Sequence, residues 1–331
     1  VSPPPTSRLP ADEVVGALLA PGDPELAGRL VVVDPPGAPL DPTALGAAVE
    51  RLATLPCVLV GAEGWVPPDG LGDLLDTPLG SGELAAVAGL HEACPTAASV
   101  AALHLRGSAR RGVLDGLVAE STLYGTLQAG DEHRAWRSSA PARPRGDHAG
   151  LRVRVERRGD LLMVTLVRPQ VHNALDAVMR DDLLEALAVA EADPALRVVL
   201  RGEGPSFCSG GDLREFGTAP PPPEAHVIRM RRSIGAVLHR LARRTTAVVH
   251  GRCVGSGVEL AAFAGRVVAH PDTTFSLPEL SMGLLPGAGG TVSLPGRIGR
   301  HRTAWLMLTG HRIDARTAQA WGLVDEIDPS G

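Results

Sequence analysis

The chain has 331 residues with 32 basic and 37 acidic side chains, a formal net charge of −5, and every basic residue is an arginine. With no lysine there is no P-loop phosphate contact, no Schiff base and no Ser-Lys dyad. Aromatic residues at 3% and the negative charge argue against a nucleic-acid partner, while 44% hydrophobic residues suit a globular core of about two domains.

In chain order, Leu30 to Val33 reads as a strand, Asp41 to Leu55 as a helix, and Val58 to Val60 as a strand entering Gly61-Ala62-Glu63-Gly64. Residues 138–150 are polar and Pro-bearing without an apolar period, and read as a linker. Beyond it, Leu151 to Val155 and Leu161 to Leu166 form a predicted hairpin around Arg158-Gly159-Asp160. Asp176 opens a helix with Met179, Leu183 and Leu187 on one face, closing at Asp193-Pro194. Val198 to Leu200 is then a strand running into Gly202-Glu203-Gly204. The strand–helix–strand order predicts α/β units with right-handed crossovers. Gly64 and Gly204 end similar units 140 residues apart, which fits either a shared origin or the general likeness of βαβ units.

Further on, Pro220 to Pro223 stiffen a loop before a predicted single helix carrying Arg229, Arg231, Arg232, Arg240, Arg243 and Arg244. Its inner face holds Ile234, Val237, Leu238 and Leu241, and its arginines are expected on a solvated face. Cys57, Cys94, Cys208 and Cys253 are too scattered for a zinc site or disulfide framework and read as buried thiols. No apolar run reaches the roughly 18 residues of a membrane span, and Val1-Ser2-Pro3-Pro4-Pro5 lacks a signal-peptide pattern. A soluble cytoplasmic protein, its start processed or trimmed, is the expectation.

Three segments concentrate residues suited to chemistry. They are Ser206-Phe207-Cys208-Ser209-Gly210-Gly211-Asp212-Leu213, then Gly251-Arg252-Cys253-Val254-Gly255-Ser256-Gly257-Val258-Glu259-Leu260, and Phe275-Ser276-Leu277-Pro278-Glu279 followed by Gly283 to Thr291. With Arg168-Pro169 and Asn173-Ala174-Leu175 before them, and Leu308-Thr309-Gly310, Ala318 and Gly322-Leu323-Val324 after them, they resemble the crotonase superfamily of enoyl-CoA hydratases and isomerases. The resemblance covers about residues 151–328 and implies a crotonase-like ββα spiral domain in 151–331. Residues 1–137 are then a smaller, noncatalytic α/β domain.

The resemblance implies an acyl-CoA thioester as partner, with CoA entering as part of the substrate and no separate cofactor or metal. It implies the backbone N–H groups of Gly211 and Ser256 as donors to an enolate oxyanion; both follow glycines, and Ser256 opens a helix. Glycine is usual in the family where Ser256 stands, and a backbone donor survives that change. Glu259 and Glu279 match the acid/base pair of the hydratases, a pair able to activate water and protonate carbon once burial separates their roles. His172, Ala174, Ser209, Asp212, Leu213, Pro278 and Gly287 match substrate-contacting positions, and one or two of the arginines could meet CoA phosphates.

Alternatives stay open. They are an isomerase or other acyl-CoA lyase, a noncatalytic assembly partner of the same fold, and a serine hydrolase using Ser256 with His270 and Asp272. Members of the superfamily continue past the Gly-Leu-Val-Asp segment into helices that cover the CoA site and complete a trimer. Here Leu117 to Gln128, with Glu132 and Trp136, resembles such helices but lies before the hydratase-like domain. Within this first part, residues 28–137 read as a degenerate crotonase copy, 112–137 as a donor of covering helices, or the whole as a plain interaction domain. A homo-oligomer, trimer or dimer of trimers, is implied.

Overall fold

The computed structural model describes residues 6–22, 25–68, 70–140, 150–218 and 220–329. The first half opens with β1 (Ser7–Pro10), α1 (Ala11–Leu19), β2 (Leu30–Asp34), α2 (Pro42–Leu52) and β3 (Val58–Gly61), whose strands form a fully parallel sheet in the order β1-β2-β3. Asp41 caps α2 by accepting from Ala44 N at 3.0 Å, with Pro42 in the first turn where no donor is lost. Both faces of this sheet are covered, so its strands are apolar without alternation. Val31, Val33 and Leu59 pack with Val14 and Leu18 of α1 and Leu52 of α2. Leu30, Val32, Val58 and Val60 face the other way, into a core that runs on through the second half.

Four helices come next: α3 (Leu84–Ala93), α4 (Pro95–Arg106), α5 (Val113–Gln128) and α6 (Asp131–Ser139). The linker expected at 138–150 begins inside α6, and its residues 141–149 lie outside the described residues. The hairpin of β4 (Val153–Arg158) and β5 (Leu161–Leu166) is antiparallel, as the sequence predicts. It leads through α7 (Ala177–Ala192), capped by Asp176, to β6 (Arg197–Gly202).

The predicted arginine-bearing helix is two helices, α8 (Pro222–Arg231) and α9 (Ile234–Leu241). Arg232 leaves helical geometry, and Ser233 starts the second helix by accepting from Ala236 N at 3.1 Å. Nor is every arginine on a solvated face. Arg244 donates to the carbonyls of Ala190, Asp193 and Leu196 at the end of α7, and Arg229 turns inward.

The remaining elements are β7 (Thr245–Val249), β8 (Arg252–Val254), α10 (Ser256–Ala261), β9 (Arg266–Ala269), β10 (Thr274–Ser276), α11 (Gly290–Thr309), β11 (Ile313–Asp314), α12 (Ala315–Trp321) and β12 (Glu326–Ile327). Six strands form one sheet in the order β12-β9-β7-β6-β5-β4, parallel except for β4 against β5. A second sheet, β11-β10-β8, starts where the chain leaves the first. Helix α11 is broken at Gly299 (φ +80°, ψ 162°). Its buried face packs on α3, α4 and α5 as well as on α10, so residues from both sides of 138–150 share one core. The four cysteines are free and buried.

Candidate active site

After β6 the chain is pinned by Phe207 N to His250 O at 2.8 Å and Cys208 N to Arg252 O at 3.1 Å. Gly210 (φ +98°) then turns it so that Gly211 faces Ser256: a Cβ on Gly211 would lie 4.0 Å from Ser256 Oγ. Among the described residues neither the Gly211 nor the Ser256 amide donates a hydrogen bond. Gly255 (φ +53°) turns β8 into α10, and a Cβ there would collide with the Glu279 carboxylate. Both features of Gly255 require glycine.

Helix α10 carries Glu259, 1% exposed, toward the segment that starts α11. Glu259 Oε2 accepts from Ala288 N at 2.7 Å and from Gly290 N at 2.8 Å. Burial pushes this carboxyl up to about 7, and the two amides hold it from rising further. Glu279 follows Pro278 on a single 3₁₀ turn; its Oε2 is sealed from solvent and has no hydrogen-bond partner among the described residues. Burial first, then the charges of Glu259 and Glu120, raise Glu279 well above the usual carboxylate range. The two carboxylates and the two amides border one cavity of about 280 Å³.

The sequence-predicted residues divide around this cavity. Gly211, Asp212, Ser256, Glu259, Glu279 and Gly287 line it. Asp212, however, is already neutralised by Arg168 at 3.1 Å and Arg214 at 2.5 Å, which bring its carboxyl down to about 2 against the cost of burial. His172, Ala174, Ser209, Leu213 and Pro278 are not on the wall. His172, in the left-handed region at φ +53°, meets Ser206 Oγ through Nδ1 at 3.0 Å; Ala174 O accepts from Arg168 Nη1 at 2.5 Å. His270 pairs with Asp272 at 2.5 Å on an exposed turn, and neither reaches the cavity that holds Ser256. The serine-hydrolase constellation is not assembled.

Part of the wall comes from residues that sequence reasoning did not select. Leu117, Glu120, Ser121 and Tyr124 of α5 close one side. Arg229 of α8 is held against them, Nε to Ser121 Oγ at 2.9 Å, Nη2 to Ser121 O at 3.0 Å, its guanidinium 4.8 Å above the Tyr124 ring. The Tyr124 ring abuts Gly287, where a Cβ would come within 2.5 Å of it. One signal was present: Glu120 falls on the same helical face as Leu117 and Tyr124, an acidic group on a stripe that must be buried. No helix among the described residues is long and apolar enough to cross a membrane.

Residues 156–331 match the family model described as enoyl-CoA hydratase/isomerase. A 2,3-dehydroadipyl-CoA hydratase of Escherichia coli is 35% identical over 177 residues, covering 53% of this chain and 69% of that protein. A mevalonyl-coenzyme A hydratase of Beauveria bassiana is 33% identical over 180 residues, covering 52% and 64%. This chain thus spans about two thirds of the length of each. Among solved structures, an enoyl-CoA hydratase from Thermoplasma volcanium aligns with a TM-score of 0.51 at 34% identity, over 54% of this chain and 73% of that one. An enoyl-CoA hydratase of Mycobacterium smegmatis gives 0.51 at 30% identity, over 55% and 72%. On fold, motif order and site geometry together, the chain belongs to the enoyl-CoA hydratase/isomerase family.

Proposed function

We propose that the chain catalyses reversible syn hydration of a 2-enoyl-CoA thioester in this cavity, with Glu259 and Glu279 as the acid/base pair. The observation that carries the reading is the meeting of two buried carboxylates and two unused amides on one cavity wall. The Gly211 and Ser256 amides receive the thioester oxygen, which gains charge as the enolate forms. Glu259, poised near neutrality, takes a proton from water as the water oxygen bonds to C3. Glu279, raised well above the usual carboxylate range, holds a proton and delivers it to C2 as the enolate collapses. The leucines and Phe216 around the pair exclude bulk water, which strengthens each of these interactions.

The rest of the wall suits an acyl chain entering between α5 and α8, and the CoA arm is assigned to the path outside it, past His172, Ala174, Ser209 and Leu213. This route uses protein groups and the substrate's own CoA. A homo-oligomer, a trimer or a dimer of trimers, belongs to the same proposal.

The test is loss of conjugated-thioester absorbance with short and medium 2-enoyl-CoAs. Glu259→Gln and Glu279→Gln are each expected to lower kcat on the order of 10²–10⁴-fold. Full turnover in both variants would sink the acid/base assignment. Conversion of a 3-enoyl-CoA without hydration would favour isomerisation, and CoA binding or turnover absent altogether would favour a noncatalytic assembly role.

A further inference from the structure

We propose that Glu120, contributed by the first half of the chain, is a positioning residue for this reaction: it fixes the segment whose amides seat Glu259. The inference rests on the hydration reading for its kinetic consequence, not for its structural one. Glu120 is 2% exposed, inside the shared core. Its Oε1 accepts from Gly289 N at 2.7 Å, and its Oε2 accepts from Thr291 N at 2.9 Å and Thr291 Oγ1 at 2.7 Å. Glu259 takes the amides of Ala288 and Gly290. Four successive residues therefore donate alternately to the two carboxylates, so neither carboxylate can move without disturbing the seat of the other.

The direction of the surrounding hydrogen bonds argues for the charged form of Glu120. Arg111 Nη1 lies 3.2 Å from His104 Nδ1, and an arginine can only donate. His104 then carries its proton on Nε2, which reaches Thr291 Oγ1 at 2.9 Å. The Thr291 hydroxyl is left to donate to Glu120. Three donors converge on this carboxylate, and among the described residues no acceptor is placed to receive a proton from it. The other groups that face it are Glu259 of α10, Glu279 on its 3₁₀ turn, Tyr124 of α5 and Arg229 of α8. His104 is lowered to about 4 by burial and then by Arg111, so it is neutral and adds no charge. Burial and the neighbouring Glu259 raise Glu120, and the donors from Thr291 and Gly289 oppose that rise.

The experiment uses the full chain and two variants, Glu120→Gln and Thr291→Val, with two readouts. The first is the pH profile of kcat/KM for 2-enoyl-CoA hydration. The second is an infrared titration of buried carboxyl groups, with Glu259→Gln identifying the Glu259 band. The second readout needs no turnover. Glutamine at 120 cannot accept from Gly289 and Thr291 together, so the segment loosens and Glu259 loses the Ala288 and Gly290 amides that hold it down; the acid limb and the Glu259 band should both move to higher pH by roughly one unit. That is a tenfold change, and kcat should fall more than KM rises. Thr291→Val removes one of the donors that hold Glu120 and should move both readouts the same way by less. A folded Glu120→Gln whose acid limb and carboxyl band stay in place, whatever its activity, would overturn the proposal. If that variant does not fold, an unmoved band in Thr291→Val does the same. A wild-type chain that turns over no enoyl-CoA would remove the hydration reading and leave the infrared result to decide this one.

Discussion

The β2–α2–β3 unit of the first half and the β5–α7–β6 unit of the second are built on one plan. Each pairs two parallel strands around a helix capped by an aspartate, Asp41 in one and Asp176 in the other. Each ends in a turn with a left-handed glycine, Gly64 at φ +74° and Gly204 at φ +83°. Each is braced by a buried arginine: Arg106 on Asp76 at 2.7 Å, and Arg168 on Asp176 at 3.0 Å and Asp212 at 3.1 Å. The two units differ in the loops that leave their last strands. After β6 the glycine turn leaves the Gly211 amide unused beside Ser256, whereas at the end of β3 and in the turn after it the amides of Gly61 and Gly64 are taken by Thr77 O and Leu79 O. A common scaffold therefore does not carry the chemistry; donors left unused over a cavity do.

The sharpest way to break the comparison is to remove a brace. Arg106→Ala strands Asp76, which is 1% exposed, and takes away donors to Leu52, Leu55 and Cys57 carbonyls. The expected cost is about 3–5 kcal/mol, read from denaturant unfolding. Because Leu30, Val32, Val58 and Val60 belong to the core that also holds α11, one transition should shift as a whole. Two separated transitions would show that the halves fold apart.

A smaller effect concerns the second brace and its pH dependence. The Asp212 carboxyl is depressed from 3.8 to about 2 in the folded chain by Arg214 and Arg168, against the opposing effect of burial. A depressed carboxylate adds stability above its unfolded value and loses it as pH falls through the folded one. Wild type should therefore lose about 2 kcal/mol relative to Asp212→Asn between pH 5 and pH 2. A gap that does not narrow over that window would mean that the Asp212 charge is not what braces the loop.

The smallest expected effect falls on the oxyanion donors. Ser256→Gly keeps the backbone N–H and removes only a hydroxymethyl group, so kcat should change by less than about tenfold while preference among acyl chain lengths shifts. A large loss of kcat would give the Ser256 hydroxyl a part in the reaction and reopen its role.

Much of the molecule is legible in its sequence because the signals are local. Strand patterning, the caps at Asp41 and Asp176, and the glycine turns at 210–211 and 255 are written in neighbouring residues and recur in the structure at the expected places. Glu259 and Glu279 can be named because each sits a fixed number of residues from a recognisable turn. The single arginine-bearing helix fails for an equally local reason: Ser233 is an N-cap, and a cap inside a periodic run divides it.

The chain by itself thus determined the strand–helix–strand units at 30–60 and 151–200 and the glycine turns at 210–211 and 255. It could not determine that Glu120 meets Thr291, 171 residues away, or that Arg229 is held by Ser121 across 108. Those contacts depend on α5 packing against α8 and α11, and periodicity shows only that a face must be buried, not against what. A carboxylate on that face is costly until its partners are in place. Only the folded core supplies them, and there the acidic residue that breaks an apolar stripe becomes part of the candidate active site.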